Sequence, residues 1–280
     1  MRSPARPRAW RLTVVLTVVA LLPVVLLTTA SLVLSSRAVR QEVAQRVRTT
    51  ADVSAIFVDQ QTASLAGLVS SYADRPLLVA ALARRGGTDH AAALVHLKSL
   101  FASRRGITGV FLTDVGGTVT DVLPASPGVV GRNFAFRDWF KGVATTGGPY
   151  VSEAYQTALA GHPLVVAVAD YVRSPTGRPL AVVAAIYSLD AIRDYAHEVG
   201  QAQGISLQVT DQRGTLLSGG GGKGLVSERA DRRVAAALRG GRGDGRGNSQ
   251  LSAWSLARGA GWTVSAYDLT CRSGYDLTCR

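Results

Sequence analysis

From Leu12 to Ser36 the chain runs for 25 residues without a charged side chain, and Val, Leu, Thr and Ala dominate the run. About 20 such residues cross a bilayer at a helical rise of about 1.5 Å each. Residues 12–36 are therefore expected to form a transmembrane signal anchor behind a basic cytoplasmic tail, 1–11. Pro23 falls mid-run, which membrane helices tolerate with a kink. A cleaved signal peptide is the alternative, because Arg2, Arg6, Arg8 and Arg11 make a basic n-region and Thr28-Thr29-Ala30 offers a small-residue cleavage site. The apolar run continues through Leu32, Val33 and Leu34, beyond an ordinary h-region. Arg37, Arg40, Arg46 and Arg48 follow the span, so local charge does not orient it. The folded mass must lie after the span, and long domains translocate largely regardless of charge. Residues 37 onward are expected outside the cytoplasm, on a single-pass protein of the cell membrane.

The formal charge of +12 would ordinarily suggest a nucleic-acid or anionic-surface partner. Its distribution argues against nucleic acid. Residues 1–50 carry +7, residues 223–258 carry +5, and everything else is balanced. The middle of the chain has no excess charge from which to build a nucleic-acid groove. Both basic segments could attract anionic lipid headgroups. The two cysteines, Cys271 and Cys279, stand in the last ten residues, so no disulfide staples the main fold. His90, His96, His162 and His197 are scattered, and neither a metal nor another cofactor is expected.

Residues 37–72 contain no Pro and no Gly before Gly67. Val39, Val43, Val47, Val53, Phe57, Leu65 and Leu68 recur at helical spacing. This reads as a long juxtamembrane helix able to pair with a second copy in a homodimer, to pack on its own domain, or both. Asp74-Arg75-Pro76 opens a helix ended by Gly86-Gly87, and Thr88 or Asp89 caps the next, to about Arg105. The period then shortens. Strands are expected over 106–113 and 118–122, with Asp114-Val115-Gly116-Gly117 between them, and near 150–157, 163–173 and 179–187. Residues 123–150 read as loop. Ser188-Leu189-Asp190 opens a helix to about Gly200. A smaller version of the theme follows: strands over 205–210 and 215–217, a helix over 227–238, and strands near 249–256 and 261–267. Residues 240–248 are expected as a flexible glycine-rich loop, within which Arg242-Gly243-Asp244 spells an adhesion tripeptide. Strand runs flanked by helices indicate an antiparallel α+β fold. The last residues repeat an octapeptide, 265–272 and 273–280, with one change, as a duplication or frameshift would leave it.

The span, the long helix, the segment Arg137-Asp138-Trp139-Phe140 after two strands, Gly148-Pro149-Tyr150-Val151-Ser152, the stretch Ala181–Leu189 and the turns Asp114–Thr118 and Asp211-Gln212-Arg213-Gly214-Thr215 together resemble a double Cache sensor domain. That family supplies the extracytoplasmic, PAS-like input region of bacterial chemoreceptors, histidine kinases and cyclic-nucleotide signalling enzymes. The resemblance covers roughly residues 37–267. It implies a membrane-distal module over 73–200 that usually holds the ligand and a membrane-proximal module over 201–267; the repeat in the sequence itself marks 268–280 as an aberrant tail. In the amino-acid-binding branch, Arg137 and Trp139 match the carboxylate-binding pair. Phe140 stands where that branch often has Tyr, and Tyr155 falls at the position of a further pocket Tyr. Ile186 occupies the place of the ammonium-binding Asp, which leaves Asp170, in a neighbouring strand, as the candidate substitute. A buried ammonium without a counter-charge is costly, so the resemblance points to an organic anion. Such receptors return through a second span to an output module, and nothing after Tyr267 is apolar enough to cross.

The residues alone leave two readings open. Arg137 offers a bidentate fork for a carboxylate or phosphate, walled by Trp139, Phe140, Tyr150 and Tyr155. Alternatively, Trp139 and Phe140 are core, and Arg137 pairs with Asp138 or Asp170. Catalysis has little support: there is no Gly-x-Ser-x-Gly elbow, His-Glu-x-x-His helix or Walker sequence. Gly219–Gly224 with Lys223 lacks the spacing of a phosphate loop and reads as linker. The expected function is small-molecule sensing by a membrane-anchored receptor. A ligand-free adhesive or structural ectodomain, or a membrane-anchored enzyme, stands as the alternative.

Overall fold

The computed structural model describes residues 7–83, 89–126, 128–159, 164–218, 239, 243–247 and 250–268. The expected helix over 227–238, the stretch Gly219–Gly224, His162 and the tail cysteines lie outside the described residues.

One helix, α1 (Pro7–Ala73), continues from the apolar run into the following segment without a break, with Pro23 inside it. Its 67 residues make a rod about 100 Å long. The side chains from Leu16 to Leu34 are exposed, Leu27 and Leu32 at 70%, and the best window has a mean hydropathy of 2.4. This helix is long and apolar enough to cross a membrane. The hydroxyls of Thr28 and Thr29 donate back to the carbonyls of Val24 and Val25, at 2.8 and 2.7 Å, as a polar side chain in hydrocarbon must. Farther along, Val47, Ala51, Ala55, Val58, Leu65, Val69 and Tyr72 are buried at steps of three and four, so one stripe of the helix faces the protein.

Behind that stripe lie two antiparallel sheets. The first module contains α2 (Pro76–Leu82), α3 (His90–Ser103), β1 (Ile107–Thr113), β2 (Val119–Leu123), α4 (Asp138–Thr146), β3 (Tyr150–Val151), β4 (Tyr155–Gln156), β5 (Leu164–Arg173) and β6 (Pro179–Ser188). Its sheet runs β2-β1-β6-β5-β3, with β4 also paired to β5. Helix α5 (Asp190–Gln203) leads into β7 (Ile205–Thr210), β8 (Leu216–Ser218), β9 (Gly243–Gly247), β10 (Gln250–Ala257) and β11 (Trp262–Asp268), ordered β8-β7-β11-β10-β9. The expected α+β architecture of a helix followed by two antiparallel-sheet modules is what the chain adopts.

Strand alternation gives the first sheet two different faces. Val166, Val168 and Val172 of β5 join the core shared with α1, whereas Val165, Ala167 and Ala169 join a second core beneath α4. Two turns with the same sequence logic close hairpins. In Asp114–Thr118 the Asp114 carboxylate accepts from the backbone amides of Gly116 and Thr118, both at 2.8 Å. In Asp211–Thr215, Asp211 accepts from Arg213 and Thr215 at 2.9 and 2.7 Å. Gly117 has φ +86°, and a Cβ there would lie 2.7 Å from the Ala135 nitrogen, so the position admits only glycine.

Three expectations need correction. Part of the expected 123–150 loop is helix α4. The single strand over 150–157 is two short strands, because Ser152 interrupts it: its hydroxyl accepts from the Ala167 amide at 2.9 Å and donates to the Glu153 carbonyl. The glycine-rich segment contains β9, antiparallel to β10. There the Trp254 ring covers Gly243, where a Cβ would lie 2.6 Å from the ring, so an aromatic ring shields a strand glycine.

Candidate functional site

Helix α4 sets the site. Arg137 is its N-cap, in extended conformation (φ −68°, ψ 144°); its guanidinium, which carries donors only, makes no capping bond. Asp138 in the first turn suits the positive end of the helix dipole. Trp139, Phe140 and Val143 are buried on one face, and Gly147 ends the helix in the left-handed region at φ +70°. Gly142 lets β3 approach: a Cβ there would meet the Tyr150 ring at 2.2 Å.

Half-buried Arg137 is surrounded by aromatic rings. Its guanidinium carbon lies 4.8 Å from the ring centre of Tyr155, 5.1 Å from Phe136 and 5.5 Å from Phe134. Such contacts orient a cation without neutralising it. Among the described residues, neither Asp138 nor Asp170 forms an ion pair with it. Beneath it, the Tyr155 hydroxyl is buried beside the Trp139 indole N–H, which approaches it without reaching hydrogen-bond geometry, so the hydroxyl has no aligned partner. Burial pushes the Tyr155 pKa up, against the opposing pull of Arg137 and of that indole, so the phenol remains a proton donor. A buried orphan hydroxyl costs about 1–3 kcal/mol. Tyr155→Phe is therefore expected to raise the melting temperature of the ligand-free protein by a few degrees and to weaken binding of a small carboxylate roughly 3- to 10-fold. Calorimetry on both proteins reads the two effects separately, and a destabilised Phe variant would show that the hydroxyl is already satisfied.

Trp139 is 1% exposed and Phe140 8% exposed; both belong to the core between α4 and the sheet, their rings edge to face at 6.0 Å. Of the six candidate residues, Arg137, Trp139 and Tyr155 come together, and Phe140 backs them. Tyr150 does not join the ring cluster around Arg137. It stands at the junction of the modules, its hydroxyl 3.5 Å from Asp138 Oδ1 and 3.5 Å from Gln212 Nε2. Asp170 points away: β5 presents it to α1, where Ser70 donates to it at 2.6 Å. It cannot supply the counter-charge missing at Ile186. Ile186 itself is fully buried in the core on the α4 side, so an aliphatic residue stands where the acid was expected. Phe134 and Phe136 escaped the sequence reading as site residues, although two Phe immediately before Arg137 were the available signal.

Next to Tyr150, polar contacts between and within the modules form a junction. Asp138 Oδ2 accepts from the Glu153 amide, and Asp211 Oδ2 from the Ala154 amide, both at 2.9 Å. Arg213 forms an ion pair with Glu153, and Trp262 donates to Gln212 Oε1 at 3.1 Å. Burial foremost, then the Asp138 charge, raises the Glu153 pKa above its ordinary 4.5, with Arg213 opposing and Asp211 adding to the rise. The folded protein thus holds this proton more tightly than the unfolded chain. Stability is lost as pH rises from about 4.5 through the higher folded value, and regained as pH falls. Glu153→Gln is expected to remove that part of the pH slope in thermal melts; an unchanged slope would locate it elsewhere.

No protein-family model and no curated protein matches the chain. Solved structures do. An extracellular ligand-binding receptor from Desulfohalobium retbaense superposes with a TM-score of 0.64 at 15% identity, covering 80% of this chain and 40% of that one. The ligand-binding domain of the Pseudomonas fluorescens chemoreceptor CtaA, in complex with L-isoleucine, gives 0.63 at 16% identity over 84% and 95% of the two chains. The ligand-binding domain of the Pseudomonas aeruginosa amino-acid chemoreceptor PctC, bound to GABA, gives 0.62 at 19% identity over 80% and 99%. These neighbours are receptor ligand-binding domains. At such identities the likeness is one of fold, and the chain has the fold of a double Cache sensor domain.

Proposed function

We propose that the chain is the extracytoplasmic sensing part of a membrane-anchored receptor, and that it binds a small organic anion through Arg137. The observation that carries this reading is the guanidinium held among three rings, without a carboxylate partner among the described residues, beside the buried unpartnered hydroxyl of Tyr155. A carboxylate would satisfy both groups at once. Aliphatic Ile186 on the same side favours a ligand whose remaining body is uncharged over an α-amino acid, since an ammonium there would have no partner. Binding would draw α4 and the Tyr155 segment together, and α1, which packs on both sheets, would carry the displacement to the bilayer as a population shift. The test is a thermal-shift screen of the full chain in detergent against short monocarboxylates, α-amino acids and amines. Stabilisation by monocarboxylates supports the reading; stabilisation by amines, or by nothing, sinks it.

The same reading includes a homodimer through α1. Val39, Val53 and Ile56 are 43%, 55% and 68% exposed on the part of the helix beyond the apolar span. Ile56→Glu is expected to shift the protein from dimer to monomer in sedimentation, with its melting behaviour at high dilution unchanged. A species distribution identical to the parent would remove this face from the interface. Arg37 and Arg40, immediately beyond the apolar run, would meet anionic headgroups.

A further inference from the structure

On the far side of β5 from Arg137 there is a mostly apolar cavity of about 140 Å³ with an opening toward solvent. Its walls come from six elements of the fold. Phe57 and Leu65 of α1 form one side, Val166 and Val168 of β5 the floor, Ile192 of α5 an end, and Trp262 of β11 the wall toward the second module. Val151 of β3 and the ring of Tyr187 complete it.

The Thr62 hydroxyl, the Trp262 indole N–H and the Gln61 side-chain oxygen at its edge are engaged elsewhere. The Thr62 hydroxyl donates back along its own helix to the carbonyls of Val58 and Asp59, at 3.0 and 2.9 Å. The Trp262 indole N–H donates to Gln212 at 3.1 Å, and the Gln61 carbonyl accepts from Arg104. The hydroxyl end of Tyr187 lies against Gly106. A buried water needs two to four polar partners, whereas a cavity of about 150 Å³ lined by aliphatic and aromatic side chains stays dry and accepts benzene or xenon. The volume and lining here match the second case.

We infer that this cavity is a second ligand site, for an uncharged single-ring aromatic or a branched hydrocarbon of similar size. It is independent of the anion site. Alternation along β5 sends Val166 and Val168 into the cavity and Val165 and Ala167 toward α4, so the two sites stand back to back across one strand. Its occupant would touch α1, the first sheet, α5 and the second module together. Filling it replaces empty space with contacts at a place where the long helix meets both modules, and so favours the packed position of α1.

Benzene is the probe, added to the full chain in detergent with labelled valine, leucine and isoleucine methyls. Saturable shifts confined to Leu65, Val151, Val166, Val168 and Ile192 are expected, with a rise in Tm of about 3–6 °C at tenfold excess over Kd. Val168→Phe, which fills the space from the floor, should abolish both responses. Ile192→Phe fills it from the end and serves if the first variant does not fold. Arg137→Ala should leave the benzene response intact even where it removes anion binding, so failure of one site is distinguishable from failure of the other. Absent shifts in the parent protein, non-saturating shifts spread over all methyls, or an unchanged response in a folded filled variant would overturn the inference.

Discussion

Arg137→Ala is expected to weaken binding of a monocarboxylate by about 30-fold to several thousand-fold, which corresponds to the 2–5 kcal/mol lost when one partner of a desolvated charge pair is truncated. The size follows from what surrounds the guanidinium. The other guanidinium at this cluster, that of exposed Arg132, lies 5.8 Å from the Phe134 ring centre, whereas Arg137 lies within 5.5 Å of three rings, which offer a ligand carboxylate no donor except the Tyr155 hydroxyl. Arg137→Lys should restore part of the affinity, because it keeps the charge and loses the planar fork. The fold should tolerate both changes. The side chain makes no capping bond to α4, and its contacts with the rings are worth about 0.5–1 kcal/mol each. Titration calorimetry with the full chain, alongside a melting curve of each ligand-free variant, separates lost binding from lost structure. Undiminished affinity in a folded Arg137→Ala protein would remove the anion site from this helix.

Trp139→Ala is expected to be the most damaging single change to stability in the first module, about 3–5 kcal/mol. The indole is 1% exposed and lies between α4 and a sheet face built from small residues, Ala167, Ala169 and Ala184, which cannot reach into the space it would leave. For a folded part of this size the loss corresponds to a Tm lower by on the order of 10 °C. Phe136→Ala makes the contrast. That ring is 58% exposed, so its removal should barely move Tm while loosening the orientation of Arg137. A Trp139→Ala protein that melts with the parent would mean that α4 is not packed as described.

The elements with a strong period were legible in the sequence. The apolar run, the helical spacing after it and the two long valine-rich strands, β5 and β6, each announce themselves by burial over many residues. The resemblance carried by Arg137-Asp138-Trp139-Phe140 pointed to the fold before any geometry. What escaped was short. Helix α4 has nine residues, and its apolar positions 139, 140 and 143 follow an aromatic stretch that looks like any loop rich in rings. Gly147 was the available stop signal. Strand β9 is nearly all Gly and charge, and is held by the Trp254 ring from its neighbour, a tertiary contact without a local signature. The direction of Asp170 was open for a related reason. Alternation fixes which residues share its face, but only the docked α1 decides which face meets the helix.

Asp211 divides its carboxylate between two tasks. Oδ1 closes the turn of its own hairpin, and Oδ2 grips the Ala154 amide of the other module, with Arg213 and Gln212 adding their own hold on residues 150–153. A seam built this way has a bearing on inheritance. Recombination that exchanges one module with a distant relative separates Asp211-Gln212-Arg213 from the backbone it clasps, and the chimera receives a turn whose second oxygen has no amide to meet. Exchanges that carry residues 150–154 together with 211–213 keep the clasp whole. Residues 150–154 and 211–213 thus act as one joint, which an exchange of either module alone would break.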